Sequence, residues 1–476
     1  MNARSPRQLD LESIYVDLDG TLISSDMLWE SLWLLLRSRP ADLVRLPGWL
    51  LGGKAHFKEK ISSRVQVMPE TLPYRPEVVA YLETERARGR RVILATASNR
   101  RIAEAIAQHL GLFDGVLASD GTTNLSGETK RKAIEAHCAG SGFEYLGNGS
   151  ADIPVWRHAR RATLVAPSRA AASAAAGLDV QSHTIETPAV AGRAALRALR
   201  PYQWVKNLLL FVPLLLAHEA ADLPRSVAVG IAFACFCLIA SATYILNDLL
   251  DIESDRQHPR KRERPFASGA LPIPAGIALL SGLPSLALLP LSSTAMLAGY
   301  AALTVSYSFY LKERLLIDVL ILAGLYTHRV LAGAVAAQVP ASEWLLAFSM
   351  FFFLSLALVK RYAELLGLEG QDRTRLVRRA YEVGDRGLVE NSGLASGYMS
   401  VLVLCLYISS DDVALLYPFP ELLWLICPIM LYWISRIWFL ARRRVLSDDP
   451  VLFATRDPIS YLTGALVALV GLVAAW

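Results

Sequence analysis

The sequence predicts a multi-domain chain. An N-terminal α/β Rossmann-like domain with a helix-rich insertion is followed by an all-α polytopic membrane domain of about nine transmembrane helices. Three observations carry this. Of 476 residues, 53% are hydrophobic, too many for an ordinary soluble enzyme. The excess lies beyond residue 205, in a series of long apolar runs. Before about residue 195, short apolar strands end in aspartate or hydroxyl residues and alternate with helix-forming stretches. The expected boundaries are 1–185 for the soluble domain, 186–204 for an amphipathic linker and 205–476 for the membrane domain.

The opening MNARSPRQLDLES is polar and leads straight into a strand, so no secretory signal is expected. Ile14 to Leu18 (IYVDL) reads as a buried strand that runs into DLDGTL, Asp17 to Leu22. A carboxylate at a strand end, another two residues on, and a Gly-Thr turn make a phosphotransfer arrangement. Asp17 can attack phosphorus without a base, because a carboxylate is already ionised. Asp19 can protonate the leaving oxygen and later activate water. Residues 25–75 are helix-rich and contain Trp29, Trp33, Phe57 and Lys58. Their apolar part, residues 28–53, is expected to touch lipid or the membrane domain; the plainer reading is a packed core.

A second strand, Arg91 to Ala95, ends in Thr96, a hydroxyl suited to a phosphate oxygen, with Ser98 close enough to compete. Lys130 is placed in a polar loop before a helix, with Lys132 as its rival. A third strand ends in GNGSAD, where Asp152 can help hold Mg²⁺. Cys138 is alone among the cysteines in lying outside the apolar runs, which fits a reducing compartment. The order of these pieces resembles the haloacid dehalogenase superfamily of Mg²⁺-dependent phosphatases, over about residues 10–170. That resemblance implies a cap at about 25–75, Asp17 as nucleophile and Asp19 as general acid/base. It also implies one Mg²⁺ held by Asp17, the backbone carbonyl of Asp19, Asp152 and water. Asn148 stands where many members carry an acid.

Ser168 to Val190 is Ala-rich and closes the soluble domain. GRAALRALRPYQWVKN follows, an amphipathic entry helix at the interface in which Lys206 and Asn207 could face one pocket. Apolar runs then suggest spans near 205–220, 225–247, 273–291, 294–311, 316–336, 343–361, 394–410, 417–440 and 458–476. Arg256 to Arg264, Lys312 with Arg314, the run Lys360 to Arg386, and Arg442 to Arg456 fall in alternate loops. Cationic loops stay inside. The expectation is therefore an inner-membrane protein with its soluble domain and both sites cytoplasmic and its C-terminus outside.

The most informative stretch is Asn247 to Gly269, NDLLDIESDRQHPRKRERPFASG. Asp248, Asp251 and Asp255 recur at spacings of three and four, which on a helix places them on one face. Mutually repelling carboxylates call for Mg²⁺. The cations that follow, Lys261, Arg262 and Arg264 among them, suit phosphate oxygens. A basic anchor with solvated acids is the bland alternative.

RPYQWVKN, NDLLDIESD and HPRKRERPFASG together resemble the UbiA superfamily of intramembrane prenyltransferases, over roughly 195–476. The resemblance implies that the acidic cluster binds a diphosphate through a second Mg²⁺, with Asn247 as a polar ligand. A second acidic motif would be expected; Asp318 is its nearest candidate, and Leu322 occupies its other position. Tyr307, Lys312, Arg329 and Lys360 are further polar candidates near or inside apolar runs, where charges usually face a functional cavity. A structural ion pair competes for Arg329, and Lys360 could simply snorkel.

YSFYLK and DVLILAGLYTHRVLAG resemble the decaprenyl-phosphate phosphoribosyltransferase branch. That branch implies transfer of 5-phosphoribosyl from phosphoribosyl pyrophosphate to a polyprenyl phosphate, after which the phosphatase would remove the 5-phosphate. The rivals are an aromatic prenyltransferase using a prenyl diphosphate, and a lipid-phosphate carrier without transferase chemistry. No nucleic-acid partner is expected, and a homo-oligomer is allowed.

Overall fold

A computed structural model describes residues 13–186, 191–288, 294–368, 379–446 and 449–476. The polar opening to residue 12 and parts of the linker, the third expected span and two basic loops (Lys360 to Arg386, Arg442 to Arg456) lie outside the described residues. The chain divides into two compact units, Met1–Ala198 with Ile245–Leu279, and Leu199–Tyr244 with Leu280–Trp476.

The first unit is built on a parallel sheet of β1 (Ser13–Val16), β2 (Arg91–Asn99), β3 (Gly115–Ser119), β4 (Phe143–Gly147), β5 (Arg161–Val165) and β6 (Gln181–Ile185), in the order β3-β2-β1-β4-β5-β6. The period-two alternation of β1 explains its central place. Ile14 and Val16 join a core with Val92, Leu94 and Leu146 on one face; Tyr15 joins Ile93 and Tyr145 on the other. From β1 the chain builds outward to β3 on one side, then crosses to β4. Where the order reverses, the carboxyl ends of β2, β1 and β4 lie side by side, the usual seat of a ligand in such sheets.

Helices α1 (Met27–Ser38), α2 (Leu46–Leu51) and α3 (Gly53–Ser62) lie between β1 and β2, with α4 (Pro76–Ala87) returning to the sheet. Asp26 caps α1, accepting the amides of Leu28 and Trp29 at 2.8 and 3.3 Å. Val44, Leu50 and Leu51 are exposed, Leu51 at 91%. Trp33, by contrast, is buried. After β2 come α5 (Arg100–Leu110), α6 (Glu128–Cys138), α7 (Ile153–Trp156), α8 (Arg169–Ala176) and α9 (Ala191–Leu199). Lys130 therefore stands in the first turn of α6 and not in a loop.

The expected entry helix is interrupted. Arg200 takes a left-handed conformation (φ 52°) and the chain continues as a 3₁₀ run, Pro201–Phe211. It then makes only five α-helical residues, α10 (Val212–Leu216), with Pro213 at their start. The expected span at 205–220 is thus not a helix of membrane length. Next come α11 (Leu223–Leu250), α12 (Ile252–Gln257), α13 (Ile273–Leu288) and α14 (Thr294–Phe309). They are followed by α15 (Ile317–Ala337), α16 (Glu343–Leu366), α17 (Arg386–Ile408) and α18 (Asp411–Leu416). The chain ends with α19 (Ile426–Arg442), α20 (Pro450–Ala454) and α21 (Pro458–Ala475).

Among the described residues six helical stretches, not nine, are long and apolar enough to cross a membrane: 223–250, 317–337, 343–366, 383–408, 420–442 and 458–475. The protein is a multi-pass membrane protein. The expected spans 205–220, 273–291 and 294–311 are not among the six, so the alternation that put the C-terminus outside no longer follows.

The expected boundary at residue 205 also shifts. Ile245–Leu279, the end of α11 through the start of α13, belongs to the first unit. In the second unit, α17 carries Gly393, Ser396, Gly397 and Ser400 on one face. A Cβ on Gly393 would stand 2.0 Å from the Trp438 ring, and one on Gly397 2.6 Å from Ile434. Small residues at a spacing of four let α17 pack directly on α19, as membrane helices require.

Candidate active sites

The first site is a cavity of about 420 Å³ whose lining includes Asp17, Asp19, Lys58, Ser98, Lys130, Asn148 and Asp152. The Asp17 amide donates to Leu146 O at 3.0 Å, which anchors the residue at the end of β1. Its Oδ1 accepts Lys130 Nζ at 2.9 Å, and Lys130 also donates to the Tyr145 hydroxyl at 2.9 Å. Tyr145 donates to Asp152 Oδ1 at 2.6 Å. Asp152 Oδ2 accepts the amides of Asn148 and Gly149, both at 3.0 Å, which shapes the turn after β4.

Asp19 is held separately. Its Oδ1 accepts the Met27 amide and its Oδ2 the Ser98 hydroxyl, both at 2.7 Å. Gly20, at φ 74°, permits the sharp turn between them, and a Cβ there would stand 2.1 Å from Asn148 Nδ2.

Burial raises the Asp17 carboxyl to about 7, against the opposing pull of Lys130, with Asp152 and Asp19 adding to the rise. Burial likewise raises Asp19 to about 6, and the Asp26 charge adds to it. Burial alone would depress Lys130, but Asp17 and Asp152 outweigh it and hold the ammonium charged. The expected Thr96 lies fully buried, and its hydroxyl accepts the Ser98 amide at 3.0 Å. The hydroxyl that bonds Asp19 is that of Ser98, where the strand's register shifts between Thr96 and Asn99.

The second site is the acidic segment. The helical bonding pattern runs through it: the Asp251 amide donates to Asn247 O at 2.9 Å and the Asp255 amide to Asp251 O at 2.8 Å. The helix nevertheless breaks at Asp251 (φ −101°, ψ 9°), so the three carboxylates do not share one straight helix. Asp248 and Asp255 are buried and Asp251 half-buried. Arg264 Nη1 bridges the buried pair, 3.2 Å from Asp248 Oδ1 and 2.7 Å from Asp255 Oδ2. Burial raises Asp255 to about 6, with Arg264 opposing. Lys261 and Arg262 stand exposed on a short 3₁₀ turn, whose amide at Lys261 donates to His258 Nδ1.

Both sets of donors fit Mg²⁺ in kind: hard oxygens, with a resident cation already between them, Lys130 in one and Arg264 in the other. Among the described residues no three His, Cys, Asp or Glu side chains converge as a metal cage. The remaining ligands would be substrate oxygens and water, which suits a cation that keeps several waters.

The second unit gathers other predicted residues. Lys206 Nζ pairs with Asp449 Oδ2 at 2.5 Å, and Lys360 lies 3.9 Å from the same oxygen. Asp449 was not legible in the sequence, since 243 residues separate it from Lys206. Asn207 accepts Arg329 Nε at 2.8 Å, and Arg329 also donates to Leu325 O and the Tyr300 hydroxyl. Among the described residues, Arg329 is thus held by neutral partners and by the Tyr300 and Tyr326 rings, without the ion pair that competed for it.

Asp318 is fully buried, with Oδ2 on Arg361 at 2.6 Å and Oδ1 on the Tyr381 hydroxyl at 2.7 Å. Both its oxygens are thus engaged by side chains of the protein. Tyr307 accepts Arg361 at 3.4 Å, and the Lys312 carbonyl accepts Arg379 at 2.8 Å.

Residues 208–457 match the UbiA prenyltransferase family, and residues 14–157 match the haloacid dehalogenase-like hydrolases. The chain belongs to the UbiA prenyltransferase family and carries a haloacid dehalogenase-like domain at its N-terminus. It is 37% identical to the uncharacterized protein y4nM of Sinorhizobium fredii, over 95% of this chain and 89% of that one. It is 38% identical to the nodulation protein NoeC of Azorhizobium caulinodans, over 58% of this chain and 89% of that one. A decaprenyl-phosphate phosphoribosyltransferase of Corynebacterium glutamicum is 42% identical, over 36% of this chain and 54% of that one.

Proposed function

We propose that this protein transfers 5-phosphoribosyl from phosphoribosyl pyrophosphate to a polyprenyl phosphate, and that its N-terminal domain then removes the 5-phosphate to give polyprenyl-phospho-ribose. The observation that carries the first step is the pair of buried carboxylates, Asp248 and Asp255, closed by a single guanidinium. Paired carboxylates beside a guanidinium suit a substrate that brings Mg²⁺ with it, as a diphosphate does. The likeness to decaprenyl-phosphate phosphoribosyltransferases favours this donor. An aromatic prenyltransferase would want a second acidic cluster, and Asp318 is already committed to Arg361 and Tyr381.

In the transfer, an oxygen of the lipid phosphate attacks the anomeric carbon of the donor as the bond to diphosphate breaks. The nucleophile is already anionic, so no general base is needed. Asp248, Asp251 and Asp255 would hold Mg²⁺, which when bound offsets charge on the leaving diphosphate. Alignment and charge stabilisation by Lys261, Arg262 and Arg264 supply the rest.

In the second step, the Asp17 carboxylate attacks phosphorus and the bond to the ribose oxygen breaks, with Asp19 giving that oxygen its proton. Asp19 then takes a proton from water, which attacks the phosphoaspartate, releases phosphate and restores Asp17. Lys130 orients Asp17, while Asp17 and Asp152 with the Asp19 carbonyl would hold a second Mg²⁺. The cationic loops favour a cytoplasmic location for both steps.

The test is direct. Membranes containing the protein, given labelled phosphoribosyl pyrophosphate, polyprenyl phosphate and Mg²⁺, should form labelled ribosyl lipid; Asp17→Asn should stop at the 5-phosphate form. Incorporation from a labelled prenyl diphosphate instead would overturn the assignment.

A further inference from the structure

We propose that α1 positions the acidic segment, with Glu30 and Trp33 as positioning residues for Asp248, Asp255 and Arg264. The proposal rests on the reading that this segment binds a diphosphate. Glu30, Trp33 and Arg37 recur at three and four along α1, which sets them on one face. Each meets residues 245–279, which lie in the same compact unit. The Glu30 carboxylate takes the Arg256 guanidinium through both oxygens, at 2.6 and 3.3 Å. Trp33 Nε1 donates to Leu249 O at 2.7 Å, one residue past Asp248. Arg37 pairs with Glu253 at 3.0 Å.

The Glu30–Arg256 pair is buried on both sides, 7% and 6% exposed at the side chains. A buried charge without its partner is costly, so the pair fixes where α12 lies against α1. Arg256 carries the constraint onward, its Nε donating to Ala267 O at 3.0 Å. The Ser268 amide and hydroxyl both donate to Arg264 O at 2.9 Å, closing the turn from which the Arg264 side chain reaches Asp248 and Asp255. Ser24, just before α1, donates to Ser268 O at 2.8 Å. Gly269 follows at φ 73°, and a Cβ there would stand 2.1 Å from Ser24 Oγ. Helix end, α12 and basic turn are therefore each tied to α1 or to the loop leading into it.

The N-terminal end of α1 is also held by Asp19, whose Oδ1 accepts the Met27 amide, and Pro272 lines the first cavity. Glu30 itself does not line that cavity.

The full chain in nanodiscs, as wild type, Glu30→Gln and Trp33→Phe, tests this. Hydrogen exchange at residues 252–269 should quicken in both variants while strands β1 and β4 stay protected. Calorimetry with Mg²⁺ and inorganic diphosphate should show affinity weakened on the order of tenfold, as for residues that orient metal ligands. The KM for phosphoribosyl pyrophosphate should rise with kcat little changed, and hydrolysis of p-nitrophenyl phosphate should be unaffected. Exchange and diphosphate affinity matching wild type in both variants would overturn the proposal. A wild-type chain that fails to bind Mg²⁺-diphosphate overturns the reading of the acidic segment instead, and hydrogen exchange then decides the positioning role by itself.

Discussion

Asp17 and Asp152 converge on one ammonium. Lys130 lies 2.9 Å from Asp17 and 3.7 Å from Asp152, with all three side chains nearly removed from water. Removing one partner of such a group leaves an uncompensated buried charge. Lys130→Met should cost about 3–5 kcal/mol of stability as well as the proposed phosphatase activity, read by thermal unfolding and phosphate release.

The same burial sets a pH dependence. The Asp17 carboxyl, at about 7, and Asp19, at about 6, lie above the unfolded carboxylate value of roughly 3.9. Between those limits the folded state binds more protons than the unfolded one, so stability is greatest at low pH and falls as pH rises through about 7. With Mg²⁺ chelated, the unfolding temperature should drop from pH 5 to pH 8. Added Mg²⁺ should restore it at pH 8 more than at pH 5, where protons hold the ligands. A flat or rising profile in chelator would contradict the raised values.

Elements decide a different class of effects. Asp318 and Arg361 join α15 to α16 through a fully buried pair that also engages Tyr381. Asp318→Asn should destabilise the chain by about 3–5 kcal/mol, while a paired Asp318→Leu, Arg361→Leu replacement should recover much of the loss, because each buried charge then leaves with its partner. Were Asp318 instead a diphosphate ligand, the double variant would fold yet lose donor affinity, which the KM for the donor reads out. On α17, Gly393→Val should overpack the contact with Trp438 and cost about 1–3 kcal/mol, seen as a lower unfolding temperature in detergent. The break at Asp251 belongs to this scale too. Spacings of three and four correctly placed Asp248 and Asp255 near each other. They did not foresee that the helix would pause between them; the segments on either side of the pause meet α1, more than two hundred residues away in sequence, at Leu249 and Arg256.

For the molecule as a whole, tethering makes a prediction of its own. If the chain carries out both proposed steps, it should convert lipid to the dephosphorylated product faster than equal amounts of Asp17→Asn and Asp251→Ala chains reconstituted together in the same vesicles, because linkage raises effective concentration. Equal rates would mean the steps are independent.

The positions of Asp17 and Asp19 at a strand end, and the spacing of the acidic motif, were legible in the sequence alone, because each depends on residues within one turn or one strand end. The alternation of β1, the DLDGT turn and the Asp248–Asp251–Asp255 spacing are local facts of backbone geometry. Tertiary structure decided the rest. It chose Ser98 over Thr96, moved Lys130 onto α6, gave Asp449 to Lys206, committed Asp318 to Arg361, and set Glu30 against Arg256. It also withheld membrane length from 205–220, where the Arg200 backbone and Pro213 interrupt an apolar run that hydropathy alone reads as a span. Those choices depend on which distant charge each buried group meets, and the desolvation that forces such pairings exists only once the chain has packed.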